Sequence, residues 1–203
     1  MKVAAATGGL VNNTPLICGG EVGSYLSISN TCYSLKESAV KVEAQMLANR
    51  TNAASIVHNE NFLWITGGMG NWGLNLIHSS SEFIQIGKNN SIVGSNLPRP
   101  LYWHAMVVVE EDLTMVIGGL SLNDTVDSNV TYYYDHSRQQ WTSGPSLIIG
   151  RHGHAAFFVT DEVLNEKIIV VVGGRWDWES LNSTEILQDD KWIKGMINFT
   201  SIL

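Results

Sequence analysis

A chain of 203 residues with 44% apolar content, mean hydropathy +0.03 and a formal charge of −7 carries enough apolar material for one substantial core or two small ones, as ordinary globular proteins do. Its 12 Lys and Arg form no cluster, which excludes a charge-driven grip on nucleic acid or on an anionic membrane surface. No apolar run reaches the length of a membrane span, and the opening MKVAAATGGLVNN reads as lacking the long apolar stretch of a secretory leader.

Taken in chain order, the first strand-like run to end in a glycine doublet is PLICGG, at Gly19 and Gly20, followed by TCYSL and AVKVE. Cys18 and Cys32 are the only cysteines and flank the glycine-rich loop, so a hairpin would bring them face to face as a disulfide. Two buried free thiols are the competing reading. Arg50 then precedes TNAASIV and FLWITGG, with Gly67 and Gly68, and SEFIQI and SIVGS follow. Arg99 precedes PLYWHAMVVV and LTMVIGG, with Gly118 and Gly119, and then VTYYYD and QQWTS bring Tyr134 and Trp141. Arg151 precedes HGHAAFFV and IIVVVGG, with Gly173 and Gly174, and then STEILQ and DKWIK bring Trp192. The doublets recur at spacings of 48, 51 and 55 residues, one period, and each copy offers four short strands. The class is all-β.

This recurrence decides how the other motifs are read. Gly68, Gly70 and Gly73 satisfy G-x-G-x-x-G, but a loop and a strand follow where a dinucleotide site needs a helix, and no cofactor is expected. His152 and His154 in RHGH would lie on one side of a strand and suit zinc only with a third ligand; His58, His78, His104 and His136 show no ligand spacing, and no metal is expected. Glu110, Glu111 and Asp112 between two apolar runs read as a solvated hairpin turn. No catalytic residue set emerges. The N-x-[ST] acceptor occurs seven times, at Asn12, Asn49, Asn89, Asn123, Asn129, Asn182 and Asn198, more than twice the roughly 2.6 that composition predicts.

The third copy, with its doublet followed by Tyr134 and Trp141, resembles a kelch repeat, and GPSLIIGRHGHAAFFV is similar to the lead-in of the next one. The fourth keeps Trp192 with Leu187 near the tyrosine position; the first two have Val40 and Val93 in about the Trp place. The resemblance implies a kelch-type β-propeller of about four blades of four antiparallel strands, at 1–45 and 46–97 (both degenerate), 98–147 and 148–203. Kelch propellers usually have five to seven blades, so the resemblance also implies an incomplete, open array that self-associates unless four blades close.

Loops joining strands two and three, and loops joining successive blades, would emerge on one face, the default binding surface. It would display Asn71, Trp72, Arg175, Trp176, Asp177 and Trp178, with Arg50, Arg99 and Arg151 near its inner rim. Two alternatives stay open: RWDW folds a Trp back over the blade edge, and the arginines hold backbone carbonyls instead of a ligand. The resemblance implies a non-catalytic module for a protein or glycan, with no nucleic acid and no membrane insertion. Sequons and the cysteine pair favour a secreted glycoprotein over an intracellular substrate receptor of ubiquitin-ligase type. A kelch-type oxidase or sugar epimerase is the enzymatic alternative.

Overall fold

A computed structural model describes residues 3–23, 27–36, 39–71, 73–122, 128–161 and 166–195. These residues hold no helix; they form four four-stranded antiparallel sheets and three two-stranded ribbons. Sheet one comprises Thr7–Val11, Thr14–Cys18, Thr31–Lys36 and Ala39–Gln45; sheet two comprises Ala54–His58, Phe62–Thr66, Ser81–Gln85 and Ile92–Val93. Sheet three comprises Ala105–Glu110, Leu113–Ile117, Thr131–Asp135 and Gln140–Ser143; sheet four comprises Ala155–Asp161, Glu166–Val172, Thr184–Gln188 and Lys191–Lys194. In each, the strands pair in chain order, as short hairpin links between alternating apolar runs require.

Turn chemistry sets these registers. Asn12-Asn13, Asn59-Glu60 and Asp189-Asp190 are consecutive left-handed pairs, the conformation of tight two-residue hairpins, and Asn and Asp enter it at low cost. Both members of each of the four doublets that follow a second strand also have positive φ, from 61° to 100°. The first glycine N–H ends the ladder by donating to the residue before strand three or opening it: Thr31 O, Ser80 O, Val130 O and Ser183 O. A Cβ on Gly118 would stand 2.5 Å from Arg151 O, and one on Gly19 would collide with Arg50 O. Glycine is required there by φ and by close backbone approach.

The chain divides into two compact units, 1–102 and 103–203. In the first, Val11, Leu16, Cys18, Cys32, Ala44 and Met46 of sheet one and its flank pack on Leu63, Ile65 and Ile84 of sheet two. Strand Thr14–Cys18 alternates buried and exposed along its length, because successive side chains point to opposite faces. Cys18 and Cys32 are register partners with sulfurs at disulfide distance, 2.05 Å, inside this core. The opposite face of sheet one leaves Leu10, Ile17, Leu35, Val40 and Val42 exposed.

In the second unit Val107, Met115 and Ile117 of sheet three pack with Leu147 on Ile169, Val171, Leu187 and Trp192 of sheet four. Trp192 is the register partner of Leu187, as Trp141 is of Tyr134, and its indole N–H donates to Pro145 O at 2.9 Å. Sheet four exposes Phe157, Val159 and Ile193 on its other face. Val93 does not hold the Trp place: it pairs with Glu82, and sheet two draws its indole from strand two, where buried Trp64 stacks on Phe83 at 5.5 Å.

Candidate functional site

At one end of each unit the link between successive sheets runs against the loop between strands two and three. Thr51 and Met69 exchange both main-chain hydrogen bonds, at 2.9 and 2.8 Å, and His152 and Arg175 do so at 3.0 and 2.9 Å. The residue after each link position is left-handed: Asn52 has φ 54° and Gly153 has φ 60°. Asn52 N–H donates to Ala5 O at 3.0 Å and Gly153 N–H to Trp103 O at 2.9 Å; Ala5 and Trp103 are themselves left-handed, at 52° and 55°. Ala5, Asn52, Trp103 and Gly153 thus hold one recurring position. For Asn or Gly the cost is small, for Ala it is about 1–2 kcal/mol, and for a bulky Trp it is a genuine outlier.

Around Trp103 the second unit has an open cleft of about 340 Å³, lined by Trp103, His152, Gly153, Gly174, Arg175 and Ser180. The Trp103 and His152 rings stack at 5.1 Å and 20°. Trp178 stands edge-on to both, at 6.0 Å from Trp103 and 5.4 Å from His152. It sits there because Asp177 and Trp178, φ 49° and 65°, form the two-residue turn of the ribbon Arg175–Trp176 with Glu179–Ser180. Cross-strand pairing puts Arg175 beside Ser180 on the cleft side, and Trp176 beside Glu179 on the other. Trp178 therefore folds back over its neighbours and still remains 61% exposed, while Trp176 points away from the cleft.

Of the two roles open to the inter-sheet arginines, Arg50 and Arg151 take the interior one and do not stand on a binding rim. Arg50 Nη1 donates to Gly67 O and Ser80 O at 2.6 and 3.0 Å, and Nη2 to Glu82 Oε1 at 2.8 Å. Arg151 repeats this with Gly173 O, Ser183 O and Glu185 Oε1, at 2.7, 3.3 and 2.6 Å. Each carboxylate also accepts two main-chain N–H groups, Leu47 and Ala48 for Glu82, Ile148 and Ile149 for Glu185. Burial acts to raise Glu82, but hydrogen bonds from Ser91, Arg50 and Leu47 outweigh it and hold the carboxyl below its ordinary value.

Arg99 does not belong to this set. The second glycine of each of the first three doublets donates to Arg50 O, Leu101 O and Arg151 O, so buried Leu101 occupies the arginine slot and half-buried Arg99 lies two residues earlier. Sheet three carries Tyr132 where sheets two and four carry Glu82 and Glu185. Glu82 and Glu185 were missed in the sequence, although SEF and TEI show a Glu at the same place in the two copies that keep the arginine.

The histidine pair is also corrected. Positive φ at Gly153 separates His152, which faces the cleft, from His154, so the two do not share a strand face. Burial pushes His104 and His154 down to about 3, the Arg151 charge and neighbouring His104 and His152 adding to the effect at His154. Among the described residues no trio of His, Cys, Asp or Glu converges on a metal position.

Asn71 is exposed and its Oδ1 accepts the Leu74 N–H at 3.0 Å; Trp72 lies outside the described residues. So do Asn123 and Asn198, whereas Asn12, Asn49, Asn89, Asn129 and Asn182 are exposed. Asn49 Nδ2 is engaged with Gly70 O at 2.9 Å. A second cleft, about 410 Å³, opens at the opposite, hairpin end of the second unit over Val109, Phe158, Ile169 and Leu187. Its Lys167 ammonium already lies over the Phe158 ring at 5.8 Å, and the left-handed residues that line it, Asp189 and Asp190, are an ordinary hairpin turn, so the loop-end cleft is the stronger candidate.

In three dimensions the chain is similar to the solved structure described as "Structure of YjhT", with a TM-score of 0.80 at 12% identity, over 95% of this chain and 70% of that one. At that identity the likeness speaks for the fold alone. No protein-family model matches the chain, and no curated protein matches it in sequence.

Proposed function

We propose that this chain is a segment of a kelch-type β-propeller that binds a protein or glycan, without catalysis, through its loop end, outside the cell. The observation that carries the reading is the pairing of inter-sheet link and strand-two-to-three loop at one end of each unit, which gathers loops on a sheet frame. At that end the second unit exposes Trp178 and Arg175, residue types enriched at binding hot spots. Four equivalent antiparallel sheets, the Tyr134–Trp141 and Leu187–Trp192 pairs and the fold likeness support the propeller. Uncovered apolar faces on sheets one and four support self-association. Cys18 and Cys32 at bonding distance, with exposed acceptor asparagines, support an oxidising, glycosylating compartment.

The test is a chain produced through a secretory pathway, applied to a glycan array and to a panel of displayed extracellular proteins. Arg175→Ala with Trp178→Ala is expected to abolish whatever binding appears, and Lys88→Ala, at a strand-three-to-four hairpin, to leave it intact. Binding indifferent to the loop-end changes overturns the reading, and unglycosylated product with free thiols overturns the compartment.

A further inference from the structure

We propose that the loop-end cleft of the second unit is a small-molecule site for a carboxylate carried on a flat aromatic ring. This deepens the reading of the loop end as the binding end and rests on it. The two units use one framework at this place and fill it differently. Where the first has Ala5, Thr51 and Met69, the second has Trp103, His152 and Arg175, at positions matched by the same main-chain hydrogen bonds. Met69 is sealed from solvent, at 2% exposure, while its counterpart Arg175 is exposed at an open cleft, and His152, as buried as its counterpart Thr51, forms the cleft wall behind it. Since Ala, Asn and Gly satisfy this backbone elsewhere, the frame does not need Trp103, and its left-handed φ is a strain that architecture leaves unexplained.

The chemistry of the walls selects the ligand. The parallel Trp103–His152 stack offers a flat surface, which Trp178 braces by standing edge-on to both rings, an arrangement that complements an aromatic ring. Arg175 and Ser180 stand side by side at the cleft, and the Arg175 guanidinium makes no ion pair or hydrogen bond with the described residues. Its planar fork matches a carboxylate in two parallel bonds, with the Ser180 hydroxyl as a further donor. A cationic ligand would be repelled, and a single exposed cation in a chain of charge −7 does not suit a polyanion. The volume, near the lower limit of ligand pockets, suits one or two rings.

Calorimetry and tryptophan fluorescence on the whole chain test this with benzoate and indole-3-acetate, their neutral amides, and glucuronate as a sugar acid of equal charge. The aromatic acids are expected to bind, the amides and glucuronate at least about tenfold more weakly. Arg175→Gln is expected to cost about tenfold or more, and Trp103→Asn, the residue the first unit uses there, to abolish binding in a folded chain. Trp176→Ala, on the far side of the ribbon, is expected to change nothing. No binding of the aromatic acids, equal binding of the amides, tighter binding of glucuronate, or indifference to Arg175→Gln each overturns the proposal. If the acids fail while loop-end changes still abolish macromolecular binding, this inference falls and the binding-face reading stands; the converse pattern separates them the other way.

Discussion

Arg151 Nη2 lies 2.6 Å from Glu185 Oε1 with both side chains closed to water, and Arg50 forms the same pair with Glu82 at 2.8 Å in the other unit. Both ends of each pair are also hydrogen-bonded to the main chain, which is what lets a charge persist in the interior. At the equivalent places Leu101 and Tyr132 stand instead, so cation and anion are absent together.

A single replacement therefore leaves an uncompensated buried charge. Arg50→Leu alone, or Glu82→Tyr alone, is expected to lower stability by about 3–5 kcal/mol in urea unfolding. The double replacement, which installs the pair of residue types found at the third position, is expected to recover most of that loss. A double variant as unstable as the sum of the two singles would refute the coupling.

Cys18 and Cys32 are partners in register and 14 residues apart in sequence. Constraining a loop of that length stabilises the fold by about 3 kcal/mol in the chain-entropy model. Intact mass is expected to rise by two hydrogens on reduction, and the urea midpoint to fall with it. An unchanged midpoint would mean that the core holding both sulfurs carries this region without the bond.

His104 and His154 have folded values of about 3 against an ordinary 6.5. As pH falls below 6.5 the unfolded chain takes up these protons first, so stability present above 6.5 is lost progressively down toward 3. Between pH 7 and 5 carboxylates stay mostly ionised, and each histidine contributes a decline of up to about 1.4 kcal/mol per pH unit. Unfolding free energy measured across that window should slope downward, and His154→Gln should flatten the slope; a flat profile in the unsubstituted chain would contradict the burial of both rings.

Gly118 combines φ 61° with a carbonyl, Arg151 O, 2.5 Å from where a Cβ would stand. Gly118→Ala is expected to cost at least about 2 kcal/mol, strain and displacement acting together. Gly87 has φ 80° but open space around it, and Gly87→Asn is expected to cost under about 1 kcal/mol, since Asn tolerates left-handed backbone. Thermal unfolding of the two variants side by side distinguishes crowding from φ alone.

Local chemistry wrote the strands and turns into the chain: alternating apolar residues, paired glycines after each second strand and Asn or Asp at the hairpins are legible because strand period and left-handed backbone are properties of neighbours. The Cys18–Cys32 pairing could be proposed on the same grounds, and Arg175, which lines the cleft, and Trp178, which stands against its stacked rings, were legible as binding-type residues in a loop. Tertiary structure alone decided the rest. That Glu82 answers Arg50, that Leu101 and not Arg99 fills the intervening slot, and that Trp103 and His152 stack beside Arg175 and Ser180 all depend on register between segments some twenty to fifty residues apart. No periodicity encodes such meetings, because they are made by sheet packing and by main-chain bonds between loops.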